Sequence, residues 1–340
     1  MIGWPIVFCT TAGPTIGLGH LRRCLTLAQV LMEMSAKVHF LLRGEQNAIG
    51  FLEKYGFTGK LLEESADWGL QQSLEYCVEN DANVLVIDSY PIEPKVIKGF
   101  QGKVVVIDDL CDRSLPVDLI INGSVNGGAC IYRKLPSTKL LLGPQYILLR
   151  EAFSQKVNRR IRKHVDRILI TVGGMDSMSL ISDLVTWTRE AIENVHIDLI
   201  LGPFVQGGKD HELLCQWQDD PLLCVHKNPP NFHDLMLACD IAVTGAGQTT
   251  YELAATGTPA LAIMLADNQI HNLEGFSRKG TLNWVGSVSD TNLKEKFQDG
   301  LGRLARSLKE RQAMSKAGPL IVDGSGAKRV AQVIKELSIP

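Results

Sequence analysis

Thr15-Ile16-Gly17-Leu18-Gly19-His20-Leu21-Arg22-Arg23-Cys24-Leu25-Thr26-Leu27-Ala28 decides how this chain folds. The apolar run Ile6-Val7-Phe8 ends shortly before it, and an amphipathic run of good helix formers begins inside it. A strand that turns through glycines into a helix opens a doubly wound α/β sheet. The turn sets an imidazole in the first turn of the helix, above the strand end, beside amides that have no intrahelical partner. Helix N-termini attract phosphate, and histidine moves protons near neutral pH. The stretch reads as a loop for a phosphorylated substrate with its own acid–base residue.

Outward from this loop, strand-like and helix-like segments alternate. Expected strands in the first half are Ile6–Phe8, Val38–Leu42, Val84–Ile87, Val104–Ile107 and Leu119–Ile121. Those in the second half are Ile168–Thr171, Ile197–Leu201, Leu222–Val225, Ile241–Val243 and Ala260–Met264. Helical patterns such as Leu21–Met34 and Leu70–Val78 lie between. Short β-rich apolar runs bounded by turn residues mark buried parallel strands. At 340 residues the chain suits two domains of ~100–200 residues each. The alternation breaks between Asn122 and Lys163, where glycines, prolines and the run Arg159-Arg160-Ile161-Arg162-Lys163 occur. This stretch is taken as the end of domain one and a linker. The fold class expected is α/β, two doubly wound Rossmann-like domains (1–150 and 151–340) facing a cleft. The last helix, after Asp323-Gly324-Ser325-Gly326, is expected to pack back onto the first domain.

Composition narrows the partners. With 45% hydrophobic and 21% charged residues and a net charge of −2, the chain reads as soluble and globular. It has no basic tail or block, so no nucleic-acid partner is expected. No apolar run approaches the ~20 residues that span a bilayer, so no integral membrane segment is expected, while peripheral association stays compatible. Met1-Ile2-Gly3-Trp4-Pro5 lacks the basic start of a signal peptide. Cys9, Cys24, Cys77, Cys111, Cys130, Cys215, Cys224 and Cys239 form no C-x-x-C pair and are read as reduced core residues of a cytoplasmic protein.

Three glycine loops follow expected strands: Gly17-Leu18-Gly19-His20, Gly173-Gly174-Met175-Asp176-Ser177 and Gly245-Ala246-Gly247-Gln248-Thr249-Thr250. Glycine lets backbone approach a ligand, and the following helix supplies open amides. One such loop serves packing as often as binding; three at equivalent places favour binding. A dinucleotide fingerprint needs a small third residue and an acid ending the second strand. Here Arg22 and Arg43 stand there, and no window fits the P-loop. Neither NAD nor ATP chemistry is favoured, and no cofactor is expected.

His20 is the acid–base candidate; its plain alternative is a helix cap. No H-x-x-x-H or H-E-x-x-H pair exists, so no metal site is expected. Glu252, on a helix starting near Thr249, is either a first-turn acid or a carboxylate for two ribose hydroxyls. Asn268 and Gln269 follow a strand end and hold phosphate or sugar, or cap the next helix. Asp88, Asp108 and Asp109 end neighbouring strands; they bind sugar hydroxyls, orient the histidine, or cap helices.

The block Gly17 to Ala28 resembles the N-terminal motif of the UDP-2,4-diacetamido-2,4,6-trideoxy-β-L-altropyranose hydrolases of pseudaminic acid biosynthesis. Val86-Ile87-Asp88-Ser89-Tyr90, Val106 to Leu110, Leu142 to Arg150, Val172 to Asp176, Ala266-Asp267-Asn268-Gln269 and Asp323 to Val330 match further blocks in order. The resemblance implies a GT-B fold, related to the N-acetylglucosaminyltransferase that makes the peptidoglycan lipid intermediate. It implies that Gly245, Ala246, Gly247, Gln248, Thr249 and Thr250 hold a UDP diphosphate and that Glu252 holds the ribose. Asn268 and Gln269 would meet phosphate or sugar, and Tyr90 and His20 would face the sugar. Gly17, Gly19, Asp88, Asp109, Gly173 and Gly174 complete the expected substrate side. One departure is visible: the family's acid in the turn after the first strand is replaced by Cys9-Thr10-Thr11-Ala12-Gly13-Pro14.

The reaction implied is hydrolysis of a UDP-linked amino sugar with inversion, His20 activating water. No metal is called for, and the chain has no D-x-D motif. Two alternatives stand beside it. One is transfer of the sugar to a surface-polysaccharide or lipid-linked acceptor; the other is a non-catalytic sugar-nucleotide binder.

Overall fold

Ile6, Val7 and Phe8 have no exposed surface, which follows from their place at the centre of a parallel sheet covered on both faces. The computed structural model describes residues 4–13, 18–63, 65, 69–88, 97, 100–111, 115–132, 136–172, 178–202, 217 and 219–338. It divides into two units, Met1–Glu151 with Gly324–Pro340, and Ala152–Asp323.

In the first unit the chain runs β1 (Trp4–Ala12), α1 (Gly19–Glu33), β2 (Ala36–Gly44), α2 (Gln46–Glu53), β3 (Gly59–Leu61), α3 (Leu70–Glu79), β4 (Val84–Asp88), β5 (Lys103–Ile107), β6 (Leu119–Asn122) and β7 (Lys139–Leu142). The strands form one sheet in the order β3-β2-β1-β4-β5-β6-β7, and every pair is parallel. Val7 and Cys9 on β1 pack with Leu85, Ile87, Val104 and Val106, against Leu74 and Cys77 of α3. On β2, Phe40 stacks on Phe8 at 5.1 Å and meets Phe57 edge-on at 5.3 Å.

The second unit repeats the plan: β8 (Arg167–Thr171), α4 (Met178–Ala191), β9 (His196–Leu201), β10 (Leu223–Lys227), α5 (Phe232–Ala238), β11 (Ile241–Gly245), α6 (Thr249–Ala255), β12 (Ala260–Met264), α7 (Ile270–Arg278), β13 (Leu282–Ser287), α8 (Leu293–Arg306) and α9 (Leu308–Ile321). Its six strands are ordered β10-β9-β8-β11-β12-β13. Both sheets show the order of Rossmann-like folds, a central pair from which the chain winds outward on either side. The α/β class expected from sequence is the one found.

The chain re-enters the first unit through α10 (Gly326–Ser338). Gly324 takes φ +71°, and a Cβ on Gly326 would run into the carbonyl of Ile147. Arg329 donates to the carbonyl of Gln145 at 2.8 Å, and Lys328 reaches Glu151 at 2.9 Å. Gly326 is thus required by packing, while Lys328 and Arg329 tie the helix down through exposed contacts.

Three expectations change. The stretch 122–163 holds a seventh strand, β7. The arginines after it are fixed in the second unit rather than part of a linker: Arg159 donates to the carbonyls of Met236 and Cys239, and Arg162 pairs with Asp240 at 2.7 Å. Buried Arg311 donates to the carbonyls of Arg162 and Lys163, each at 2.9 Å. Cys224 is exposed rather than core, because it sits on the edge strand β10. Cys9, Cys24, Cys77 and Cys239 are buried and in no disulfide among the described residues. Cys215 lies outside the described residues.

Candidate functional site

Strand order reverses between β1 and β4, the place where open parallel sheets bind ligands. Two elements deliver side chains there. His20 lies in the first turn of α1, and Asp88 is the last residue of β4, in register with Thr10 of β1. The imidazole Nδ1 lies 2.7 Å from Asp88 Oδ1. Arg23, one helical turn further along α1, donates from Nε to Asp88 Oδ2 at 2.6 Å and from Nη2 to Oδ1 at 2.5 Å. Its Nη1 donates to Asp109 at 2.9 Å. The thiol of buried Cys24 points at Asp88 Oδ2, 3.4 Å away.

Asp88 has no exposed surface. Burial pushes its pKa up, but the charge and hydrogen bonds of Arg23, followed by those of His20, outweigh it and hold the carboxyl at about 2. Near neutral pH it is a carboxylate and only accepts. Because Asp88 can only accept, the shorter of the two contacts to Nδ1 directs its proton to Asp88 and leaves Nε2 unprotonated, with Arg23 Nη2 3.0 Å from the same Nδ1. Burial and the neighbouring Asp88 push the Cys24 thiol up, so it stays a donor.

Asp109 joins this group through Arg23; Asp108 does not. Asp108 accepts from the Tyr132 hydroxyl at 2.6 Å and the Cys111 amide at 3.0 Å, and it braces a loop. Gly19 has an ordinary φ, and a Cβ there would meet nothing within 4 Å. Among the described residues nothing demands glycine at that position, and none of them fills the space beside it. Gly17 and Tyr90 lie outside the described residues.

Arg23 is absent from the residues expected for the site. The signal was present: an arginine three residues after the histidine shares its helix face, and a buried strand-end carboxylate needs a cation.

The second unit has its own reversal, between β8 and β11. Gly245 ends β11, and a Cβ there would meet Leu265 Cδ1 at 2.5 Å and the Val172 carbonyl at 2.9 Å. The turn that follows is held from both sides. Thr250 donates from Oγ1 to the Gly247 carbonyl at 2.6 Å, and Asn272 of α7 donates to the Ala246 carbonyl at 3.1 Å. The Tyr251 hydroxyl in turn donates to Asn272 at 2.7 Å. A Cβ at Gly247 meets nothing within 4 Å. No side chain caps α6, and Glu252 lies in its first turn. Gln248 and Thr249 are half-buried beside it.

Asn268 is exposed in the turn after β12, and the carbonyl of the Gln269 side chain accepts from the Leu265 amide at 2.9 Å. That bond ties Gln269 back to the end of β12 and leaves its amide end to donate; its side chain does not cap α7. Gly173 and Gly174 lie outside the described residues. A pocket of about 450 Å³ that the sequence did not reveal borders this region, lined by Leu180, Trp187, Leu265 and Val288 with Asp183 and Asp290. Its size falls in the range of small-molecule sites.

Known proteins set the class first. The crystal structure of Acinetobacter baumannii MurG superposes with a TM-score of 0.67 at 13% identity, covering 98% of this chain and 99% of that one. A spinosyn rhamnosyltransferase, SpnG, complexed with thymidine diphosphate, gives 0.65 at 13% identity, covering 99% and 100%. The fold is that of GT-B glycosyltransferases.

Sequence comparison then gives the particular relatives. The Helicobacter pylori pseudaminic acid cytidylyltransferase and UDP-2,4-diacetamido-2,4,6-trideoxy-β-L-altropyranose hydrolase is 26% identical over 84% of this chain and 48% of its own length. The Bacillus subtilis spore coat polysaccharide biosynthesis protein SpsG is 22% identical over 94% and 95%. An uncharacterized Methanocaldococcus jannaschii protein, MJ1062, is 24% identical over 81% and 58%. The chain thus spans about half the length of the first and the last of these. No protein-family model matches it. The resemblance read from the motifs stands: this chain is a relative of the Helicobacter pylori hydrolase and of SpsG.

Proposed function

We propose that this chain hydrolyses a UDP-linked amino sugar, of the UDP-2,4-diacetamido-2,4,6-trideoxyhexose type, to UDP and the free sugar with inversion. The observation that carries the reading is the His20–Asp88–Arg23 group, a base with a set tautomer at the ligand end of its sheet. Likeness to the Helicobacter pylori protein supports the substrate class.

In this scheme His20 Nε2 takes a proton from water as the water oxygen bonds to the anomeric carbon. The bond from that carbon to the β-phosphate oxygen breaks, and its electron pair leaves with UDP. Asp88 stays ionised and steadies the imidazolium; a base held this way contributes ~10²–10⁴-fold. Amides of the Gly245–Thr250 turn meet the charge developing on the diphosphate. Glu252 accepts from the ribose hydroxyls, and the pocket beside Leu265 takes the base. Gly17, Gly19, Tyr90, Asp109, Gly173, Gly174, Asn268 and Gln269 are the proposed sugar and phosphate contacts.

The test incubates the protein with a panel of UDP-amino sugars and no acceptor, following UDP release and the anomer formed by NMR. Acceptor-free release from one donor, with inversion, is expected. A second reading draws on SpsG, which matches along nearly its whole length and whose name places it in polysaccharide biosynthesis. Here the sugar passes to a hydroxyl acceptor, which His20 deprotonates instead of water. Release that starts only when acceptor is added favours that reading.

A further inference from the structure

Away from both strand-order reversals, the edge of the second sheet carries a set of side chains that the proposed reaction does not use. On β9, His196 and Asp198 point to one face, while Ile197 and Leu199 fill the core on the other. Cys224 of β10 is in register with Asp198, and His226 lies two residues on, so both share the face of Asp198. Cys224 Sγ, His226 Nε2 and Asp198 Oδ1 offer ligand atoms within 4.8 Å of one another. His226 Nε2 lies 2.9 Å from Asp198 Oδ1 and His196 Nε2 3.9 Å from it. The buried Nε2 of His196 makes no hydrogen bond among the described residues.

Arg167 donates to both oxygens of buried Asp198 and so balances its charge without help from the imidazoles, of which His226 also contacts Oδ1. Two imidazoles and a thiol on the same face exceed what neutralising one carboxylate needs. We infer that Cys224, His226 and Asp198 form a binding site for a zinc-type divalent cation, with the fourth position open to water. Thiolate and imidazole together select borderline-soft ions over magnesium or calcium. Around a tetrahedral zinc at ~2.0–2.3 Å, ligand atoms stand roughly 3.3–3.8 Å apart. The set therefore closes by side-chain rotation of about an ångström, which exposed Cys224 is free to make. On binding, the thiol releases its proton to solvent, and Asp198 Oδ1 turns to the metal while Oδ2 stays with Arg167. The adjacent guanidinium makes the site weaker than one with unopposed charge.

The test titrates the metal-stripped full chain with Co(II), reading the thiolate-to-cobalt charge-transfer band and then its bleaching by Zn(II). One equivalent and a band lost in Cys224→Ser are expected, with Cys130→Ser unchanged. His226→Asn, which keeps a donor to Asp198, should weaken binding by more than the ~10–100-fold typical of a second-shell change. Absence of a band, or a band that survives Cys224→Ser, overturns the site and leaves a buried Arg–Asp–His cluster. Neither outcome touches the hydrolase reading, which uses none of these residues.

Discussion

The two units reverse strand order in the same way but furnish that point differently. In the first, the strand-end residue is a carboxylate, and α1 brings a histidine and an arginine to it. In the second, the strand-end residue is glycine, and hydroxyl, amide and backbone groups hold the turn. A buried ionised group with a set partner suits proton transfer. Uncharged amides at a helix start suit an anion that must also leave. One topology thus carries two kinds of strand end, one charged and one built from glycine and uncharged groups.

This contrast makes separable predictions. The largest effect belongs to His20→Ala: turnover should fall ~10²–10⁴-fold while UDP affinity by calorimetry stays at the wild-type value. Asp88→Asn should lower turnover within the same ~10²–10⁴-fold range, because the amide no longer holds the proton on Nδ1; steady-state kinetics on the folded variant read this. In the second unit, Glu252→Ala should weaken UDP roughly 10–100-fold, the range for hydrogen bonds to a charged group, and unaltered affinity would remove its ribose role.

Stability should follow the same division. Asp88 is held at about 2 against an ordinary 3.8. A depressed carboxyl contributes stability that is complete above the unfolded pKa and lost as pH falls through the folded one. Between pH 4 and 2 the wild type should therefore lose about 2 kcal/mol more than Asp88→Asn, as read by urea unfolding. The smallest effect is at Gly19. Alanine there meets open space and should raise stability by ~0.5–1 kcal/mol while slowing turnover.

What the sequence discloses follows burial. β1, β4, β8, β11 and β12 are covered on both faces, so each reads as an unbroken apolar run. β3, β7 and β13 lie at or near sheet edges, where Gly59-Lys60-Leu61 or Asn283 beside Trp284 breaks the pattern. His20 is legible because it follows glycines. Arg23 is legible only through its three-residue spacing from His20, because an arginine on an amphipathic helix looks solvated and its partner Asp88 is 65 residues away. Arg159 and Arg162 mislead for the same reason: their partners, Cys239 and Asp240, are remote in sequence. The Gly245–Thr250 turn is the opposite case, since its bonds are local apart from Asn272.

The claim that the chemistry rests on His20 while the second unit holds the nucleotide meets its most direct test in one measurement. UDP release is followed in a single turnover at saturating UDP-amino sugar, without acceptor, for wild type, His20→Ala and Glu252→Ala. The account predicts that His20→Ala stays slow at saturation, by ~10²-fold or more, and that Glu252→Ala regains most of the wild-type rate. Wild-type speed in His20→Ala would contradict it.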